Sequence, residues 1–252
     1  MTDPARAVIF GRDAAKYERH RPDYPPEAVT HILGLVDTRN ALEVGAGTGK
    51  ATAAFAKPDL ALVCLEPSAG MAEVLREKGL PGVEVVEATF EDWDGPDASF
   101  DLIYAAQAWH WVDPAAGFEK ARRLLRPGGA LALMWNVPVD RYGRFEHVYR
   151  NHAPELLGER DDRILKRDTV TWLEDLDDAG FGDIFRFTHI WSERLTGADM
   201  SALYSTYSDH MMLPEPRRSE LLAALEETVD AQGGAEIRYR TEVFSGKAGF
   251  DV

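Results

Sequence analysis

The chain holds one cysteine, Cys64, so no disulfide can form within it, and a reducing compartment is the expected setting. It is also short of positive charge, with 28 Lys and Arg against 43 Asp and Glu and a formal net charge of -15. A field of that sign repels polyanions, which argues against nucleic acid or an anionic membrane surface as a partner. No apolar run approaches the roughly 20 residues that cross a bilayer. The opening stretch MTDPARAVIFGRDAAKYERHRPDYPP scatters charge where a secretory leader needs a continuous apolar segment. A cytoplasmic location is therefore expected. Internal repeats, low-complexity tracts and flexible linkers are missing too. What remains is 252 residues, 45% of them hydrophobic, enough to bury one large core with or without a small lobe.

From Asn40 to Val137 short apolar runs alternate with amphipathic segments, the pattern of a parallel sheet covered by helices on both faces. ALEV, LALVCLE, GVEVVEAT, SFDLIYAA and ALALMWNV read as five strands. Helices are expected over GKATAAFAK, over PSAGMAEVLREKG with Gly79 as its stop, and from an Asp113 cap to a Gly128 stop. Beyond Pro138 the pattern changes: residues 138–180 are charged, aromatic and poorly periodic until TVTWLEDLDDAGF, which reads as a helix ending at Gly180. DIFRFTHIWSERL and EIRYRTEVFSGKA alternate as sixth and seventh strands, with helical segments over 197–234 between them. The economical reading is an α/β fold in one domain, 1–252, with a doubly wound, mostly parallel seven-stranded sheet and helical insertions at 138–180 and 197–234.

The chemistry gathers at ALEVGAGTGKATAAFA, a short strand running into three glycines at alternate positions. A P-loop is excluded: ending its pattern at Gly49 and Lys50 puts Val44 where the first glycine belongs and Ala51 where the magnesium-binding hydroxyl belongs. A dinucleotide fingerprint fits poorly, because Lys50 stands at its third glycine position and Glu43 places a carboxylate where a pyrophosphate would lie. A cationic ligand suits that acid. About twenty residues on, Glu66 ends the second strand, where a carboxylate can accept both hydroxyls of a ribose.

EVGAGTG resembles the first motif, E-x-G-x-G-x-G, of the class I S-adenosylmethionine-dependent methyltransferases. The resemblance implies a Rossmann-like methyltransferase fold with S-adenosyl-L-methionine as cofactor. Gly45, Gly47 and Gly49 would let the backbone approach its methionyl part, with Ala46 between them also on the cofactor, Glu43 would balance its ammonium, and Glu66 would take the ribose. EATFEDWDGPDASFDLIYAAQAWHWVDP looks like the family's adenine region and the strand that follows it, bringing in Thr89, Phe90, Glu91, Ala106 and Gln107. The Phe90 ring could stack on adenine or enter the core. FGRDAAKYERHRPDYP and AAQAWHW are similar to segments of small-molecule methyltransferases of the trans-aconitate methyltransferase-like type. That subgroup implies a cofactor lid over residues 1–30, with Tyr17 and Arg21 on the cofactor and Arg21 pairing with its carboxylate, and insertions that build the acceptor site.

Methyl transfer is an in-line displacement that needs alignment and a water-poor enclosure. Trp109, His110 and Trp111 follow the fourth strand and Trp135 lies in the fifth, so all four are expected near the methyl or the acceptor. His110 is the candidate catalytic residue, as a general base for a hydroxyl acceptor or else as a hydrogen-bonded wall residue. Tyr142, Phe145, Tyr149, His152, Tyr204, Tyr207, His210 and Met211 are expected in one acceptor lobe, with simple helical packing as the alternative for each. The leading function is methylation of a small-molecule acceptor, at oxygen first. Nitrogen or carbon transfer, a non-catalytic cofactor-binding protein and, last, a nicotinamide oxidoreductase stand behind it; no metal site is expected.

Overall fold

A computed structural model of the chain describes residues 14–140, 142–158 and 169–249. The apolar runs form seven strands: β1 (Asn40–Val44), β2 (Ala61–Leu65), β3 (Val83–Val86), β4 (Phe100–Ala106), β5 (Leu125–Pro138), β6 (Phe181–Leu195) and β7 (Ala235–Ala248). They make one sheet in the order β3-β2-β1-β4-β5-β7-β6. The first five pair in parallel, and β7 is inserted antiparallel between β5 and β6. The helices are α1 (Ala14–His20), α2 (Pro26–Leu33), α3 (Lys50–Phe55), α4 (Ala69–Glu77), α5 (Pro114–Leu124), α6 (Glu146–His152), α7 (Glu155–Gly158), α8 (Thr169–Asp178), α9 (Gly197–Tyr204), α10 (Ser208–Met211) and α11 (Arg217–Ala231).

Neighbouring strand residues divide between two cores, as the two-residue period of a strand requires. Ala41, Leu62, Leu102, Tyr104 and Ala132 pack with Ile32 of α2, Phe55 of α3 and Leu75 of α4. Leu42, Ile103, Leu131 and Leu133 pack with Phe118 and Leu124 of α5 and Trp172 and Leu176 of α8. A third cluster joins α6, α9 and α11 to the Ala235–Tyr239 end of β7.

Two element boundaries differ from expectation. α5 stops at Leu124, and the RPGG that was expected to end it lies in β5, with Leu125 opposite Phe100 and a register shift before Leu102 pairs with Ala130. Pro127 has no N–H to continue a helix and biases Arg126 toward extended backbone. β3 ends at Val86, so Ala88 and Thr89 belong to the loop. Gly180, at φ 77°, follows α8 where a stop was expected. Of the N-terminal segment, residues 1–13 lie outside the described residues, as do 141 and 159–168 of the first insertion.

Candidate functional site

The parallel strands β1, β2, β4 and β5 end along one edge of the sheet, and the chain turns there into loops that line a cavity of about 760 Å³. All thirteen residues singled out from the sequence for catalysis or cofactor binding line it.

The glycine loop leaves β1 with Gly45 at φ 69°, Gly47 at 59° and Gly49 at 83°. Two of these positions accept only glycine: a Cβ at Gly45 would lie 2.5 Å from Cβ of Ala108, and one at Gly49 would lie 2.2 Å from Cδ1 of Leu75. Three loop amides are already committed. Ala46 donates to the Leu65 carbonyl, Gly49 donates to that of Ala46, and Gly47 donates to Oε2 of Glu66 at 2.7 Å. These are the groups an anion-binding loop would turn on a phosphate. Here two of them are spent on the end of β2 and one within the loop. Lys50, the nearest cation in sequence, is paired with Asp23 at 2.7 Å.

Glu43 is 1% exposed. Its Oε2 accepts from Thr52 Oγ1 at 2.6 Å, from the Tyr104 hydroxyl at 3.0 Å and from Cys64 Sγ at 3.6 Å. Burial pushes its pKa up to about 7 although these donors favour the carboxylate. Glu66, also buried, accepts from the Ser68 N–H on Oε1 as well as from Gly47; burial again raises its pKa, against the two backbone donors. Two acids thus face one cavity, each lacking a basic side-chain partner among the hydrogen bonds of the described residues.

Beyond β4, Gln107 adopts φ 58°, a conformation uncommon outside glycine, and its Nε2 donates to the Asn136 carbonyl at 2.8 Å. The 3₁₀ turn Trp109–Trp111 then presents His110 and Trp111 to the cavity. Trp109 and Trp135 do not line it, contrary to expectation. Trp109 packs between Phe90 and Phe118, and Trp135 stacks on Trp172 at 4.8 Å. Both point into the α5 and α8 core, because alternation along the strands and the 3₁₀ turn send neighbours to opposite sides. Trp135 still reaches the site indirectly, donating from Nε1 to His110 Nδ1 at 3.4 Å. Of the two places left open for it, Phe90 takes the core, 3% exposed, at a position that also borders the cavity. Thr89 and Glu91 line it too; Thr89 bonds Asp92 within a local turn, and Glu91 accepts from the N–H of Asp113, the cap of α5.

α1 and the strap after it close one side. Glu18 pairs with Lys78 just beyond α4 at 2.8 Å, and Arg21 donates to the Thr206 carbonyl after α9 at 2.9 Å. The Arg21 guanidinium lies over the rings of Tyr207 and Tyr17, at 4.3 and 5.0 Å from their centroids. Of the eight residues expected in an acceptor lobe, only Tyr207 lines the cavity. Phe145, Tyr149, Tyr204 and His210 are buried in the helical core, His210 held between the Tyr149 hydroxyl at 2.9 Å and Asp209 at 2.8 Å. Sequence reasoning missed Asn136, Ser208 and Tyr239, which also line the cavity. The signal for Tyr239 was faint: it shares a strand face with Ile237, Thr241 and Val243, which reads as core.

Residues 42–133 match a family model described as a methyltransferase domain. A Mycobacterium tuberculosis protein named as an uncharacterized methyltransferase is 36% identical over 216 residues, covering 86% of this chain and 83% of the relative. Trans-aconitate 2-methyltransferase of Acidovorax sp. is 35% identical over 135 residues, 51% of each chain. Among solved structures, an Anaeromyxobacter dehalogenans protein provisionally named a type II methyltransferase superposes with a TM-score of 0.66 at 22% identity, covering 91% of this chain and 98% of that one. Phosphoethanolamine N-methyltransferase 2 of Haemonchus contortus, in complex with S-adenosyl-L-methionine, gives 0.53 at 14%, covering 97% and 57%.

Proposed function

The chain belongs to the class I S-adenosylmethionine-dependent methyltransferases, and from that premise we propose that it methylates a small-molecule acceptor, at oxygen, by in-line transfer. S-adenosylmethionine is the cofactor; when bound it supplies an electrophilic methyl group on a sulfonium. The residues present fit it. A cationic, phosphate-free nucleoside suits a loop three of whose amides already have protein acceptors and whose flanking side chains are two buried acids. In this reading Glu43 balances the ammonium and Gly45, Ala46 and Gly47 border the methionyl part. Glu66 accepts the ribose hydroxyls with the lone pairs left by its two backbone bonds. Thr89, Phe90, Glu91, Ala106 and Gln107 bound the nucleoside, and Tyr17 and Arg21 close over the carboxylate. Residues 14–30 act as the described part of a lid, in one doubly wound domain whose insertions cover the acceptor.

The observation that carries the small-molecule reading is the roof. α1 and its strap are tied to both sides of the cavity, at Lys78 and at Thr206, over a volume in the ordinary range of small-ligand sites. Transfer to oxygen is supported by the similarity to a trans-aconitate methyltransferase, and a carboxylate acceptor would need no base. For a hydroxyl acceptor His110, at the cavity wall, is the candidate base through Nδ1, which must first leave the Trp135 Nε1–H it accepts from at 3.4 Å, since that bond leaves the imidazole proton on Nε2. S-adenosylhomocysteine release with a library of small acids, phenols and amines tests the proposal. Turnover confined to protein or nucleic-acid acceptors would refute it.

A further inference from the structure

Tyr239 borders the cavity and is 1% exposed, its ring stacked on Trp191 at 4.7 Å. Its hydroxyl oxygen is sealed from solvent and has no hydrogen-bond partner among the described residues. The neighbouring polar group on that wall is satisfied: Asn136 Nδ2 donates to the Asp23 carbonyl at 3.0 Å, and its Oδ1 accepts from Thr241 Oγ1 at 2.6 Å. Buried polar groups in folded proteins nearly always have partners, so a lone one on a cavity wall calls for an explanation. Burial, with Tyr207, Tyr204 and Glu193 adding to it and Arg21 opposing, raises the phenol pKa. It therefore stays a donor at physiological pH.

Position separates this hydroxyl from the cofactor's acids. Tyr239 stands on β7 opposite Pro138 at the end of β5, three strand intervals from β1 and its Glu43, roughly 14 Å at about 4.8 Å each. Around it the wall is built from Tyr207, Ser208 and Arg21. We propose that the Tyr239 hydroxyl, covered in the ligand-free protein, is uncovered as the acceptor enters and becomes its polar anchor, donating to a carbonyl or carboxylate oxygen and so selecting small molecules that carry one. This deepens the small-molecule reading and rests on it. A site with a buried donor discriminates strongly, because an analogue lacking the oxygen leaves the hydroxyl desolvated and unpaired.

Tyr239→Phe tests this with two readouts. The ligand-free variant should melt no lower than wild type, since the hydroxyl makes no bond there; a fall of more than about 2 °C would mean it has a structural partner and would overturn the proposal. Both proteins are then saturated with S-adenosylhomocysteine and titrated by calorimetry with 4-hydroxybenzoate, 4-hydroxybenzamide, pyruvate and 4-methylphenol. In wild type at least one oxo-bearing probe should bind about tenfold or more tighter than 4-methylphenol, and in the variant that advantage should shrink to about twofold or less. An advantage that persists in Tyr239→Phe, or no oxo-bearing probe bound by wild type, overturns the anchor. Acid against amide tells carboxylate from carbonyl. Loss of S-adenosylhomocysteine binding itself would instead indict the cofactor reading, so the two failures are distinct.

Discussion

Glu43 carries a measurable liability. In the folded, ligand-free protein it titrates near 7 against an ordinary 4.5, so between those values the native state holds a proton that the unfolded chain has released. Stability contributed at this residue is intact below about 4.5 and is lost as pH rises through 7, by about 3 kcal/mol. Glu43→Gln should remove that loss: its melting temperature at pH 8 should rise relative to wild type while the two match near pH 4.5. The same variant should bind S-adenosylmethionine more weakly, and wild-type affinity should fall as pH drops below 7, because a neutral acid cannot balance an ammonium. Calorimetry from pH 5.5 to 8 checks both; a flat wild-type profile would remove Glu43 from the ammonium. Glu66→Ala should weaken cofactor binding by roughly 1–3 kcal/mol, since a charge-assisted bond is lost. These two acids were legible because each ends a short strand beside a glycine loop, a local pattern. Trp109, Trp135 and Tyr239 were not, because which wall a side chain joins depends on strand register and on segments a hundred residues away.

At the scale of elements, the glycine loop makes a graded prediction. Gly45→Ala combines a left-handed conformation with a 2.5 Å approach to Ala108 Cβ, whereas at Gly47 the nearest atom to an added Cβ is Met71 Sδ at 3.9 Å. The first should cost about 2–4 kcal/mol and the second about 1–2, nearly all of it backbone strain. Chemical denaturation of the two variants checks the order; equal losses would mean the loop relaxes. The strap makes a second prediction. α1 is a seven-residue helix, and it and its strap join the body through side chains at Lys78, Thr206, Lys50 and Asn136 rather than through a sheet, so the segment should open more often than β4 without ligand. Amide exchange over residues 14–24 should slow on adding S-adenosylmethionine while β4 is unchanged. Elements whose ends are marked by chemistry of their own, such as the Asp113 cap and the Gly180 stop, were legible in the sequence. The end of α5 was misread because Pro127 and Gly128 serve a bulged strand as readily as a helix stop.

For the whole molecule, the seven strands were legible as seven alternating or apolar segments, but their order, with β7 inserted antiparallel between β5 and β6, was not, because strand pairing joins segments far apart in the chain. The helical layer over 197–234 was legible as helices, with packing the reading kept beside a ligand role for each aromatic; Tyr204 and, from α6, Tyr149 surround His210 in a core rather than lining the cavity. Fold alone does not fix chemistry, so the decisive test is which ligand the intact protein prefers. A ligand at a hundred times its dissociation constant stabilises the native state by about 2.7 kcal/mol, which for a chain of this size is a melting shift of roughly 5–11 °C. S-adenosylmethionine and S-adenosylhomocysteine should each produce such a shift. NAD should produce almost none, because the amides of Ala46, Gly47 and Gly49 already have partners and Glu43 and Glu66 repel a diphosphate. Glu66→Ala frees the Gly47 amide and removes one of those charges, so any residual NAD shift should grow in that variant as the S-adenosylmethionine shift falls. If NAD stabilised wild type more than either sulfur nucleoside, the electrostatic account of the loop would be wrong at its root.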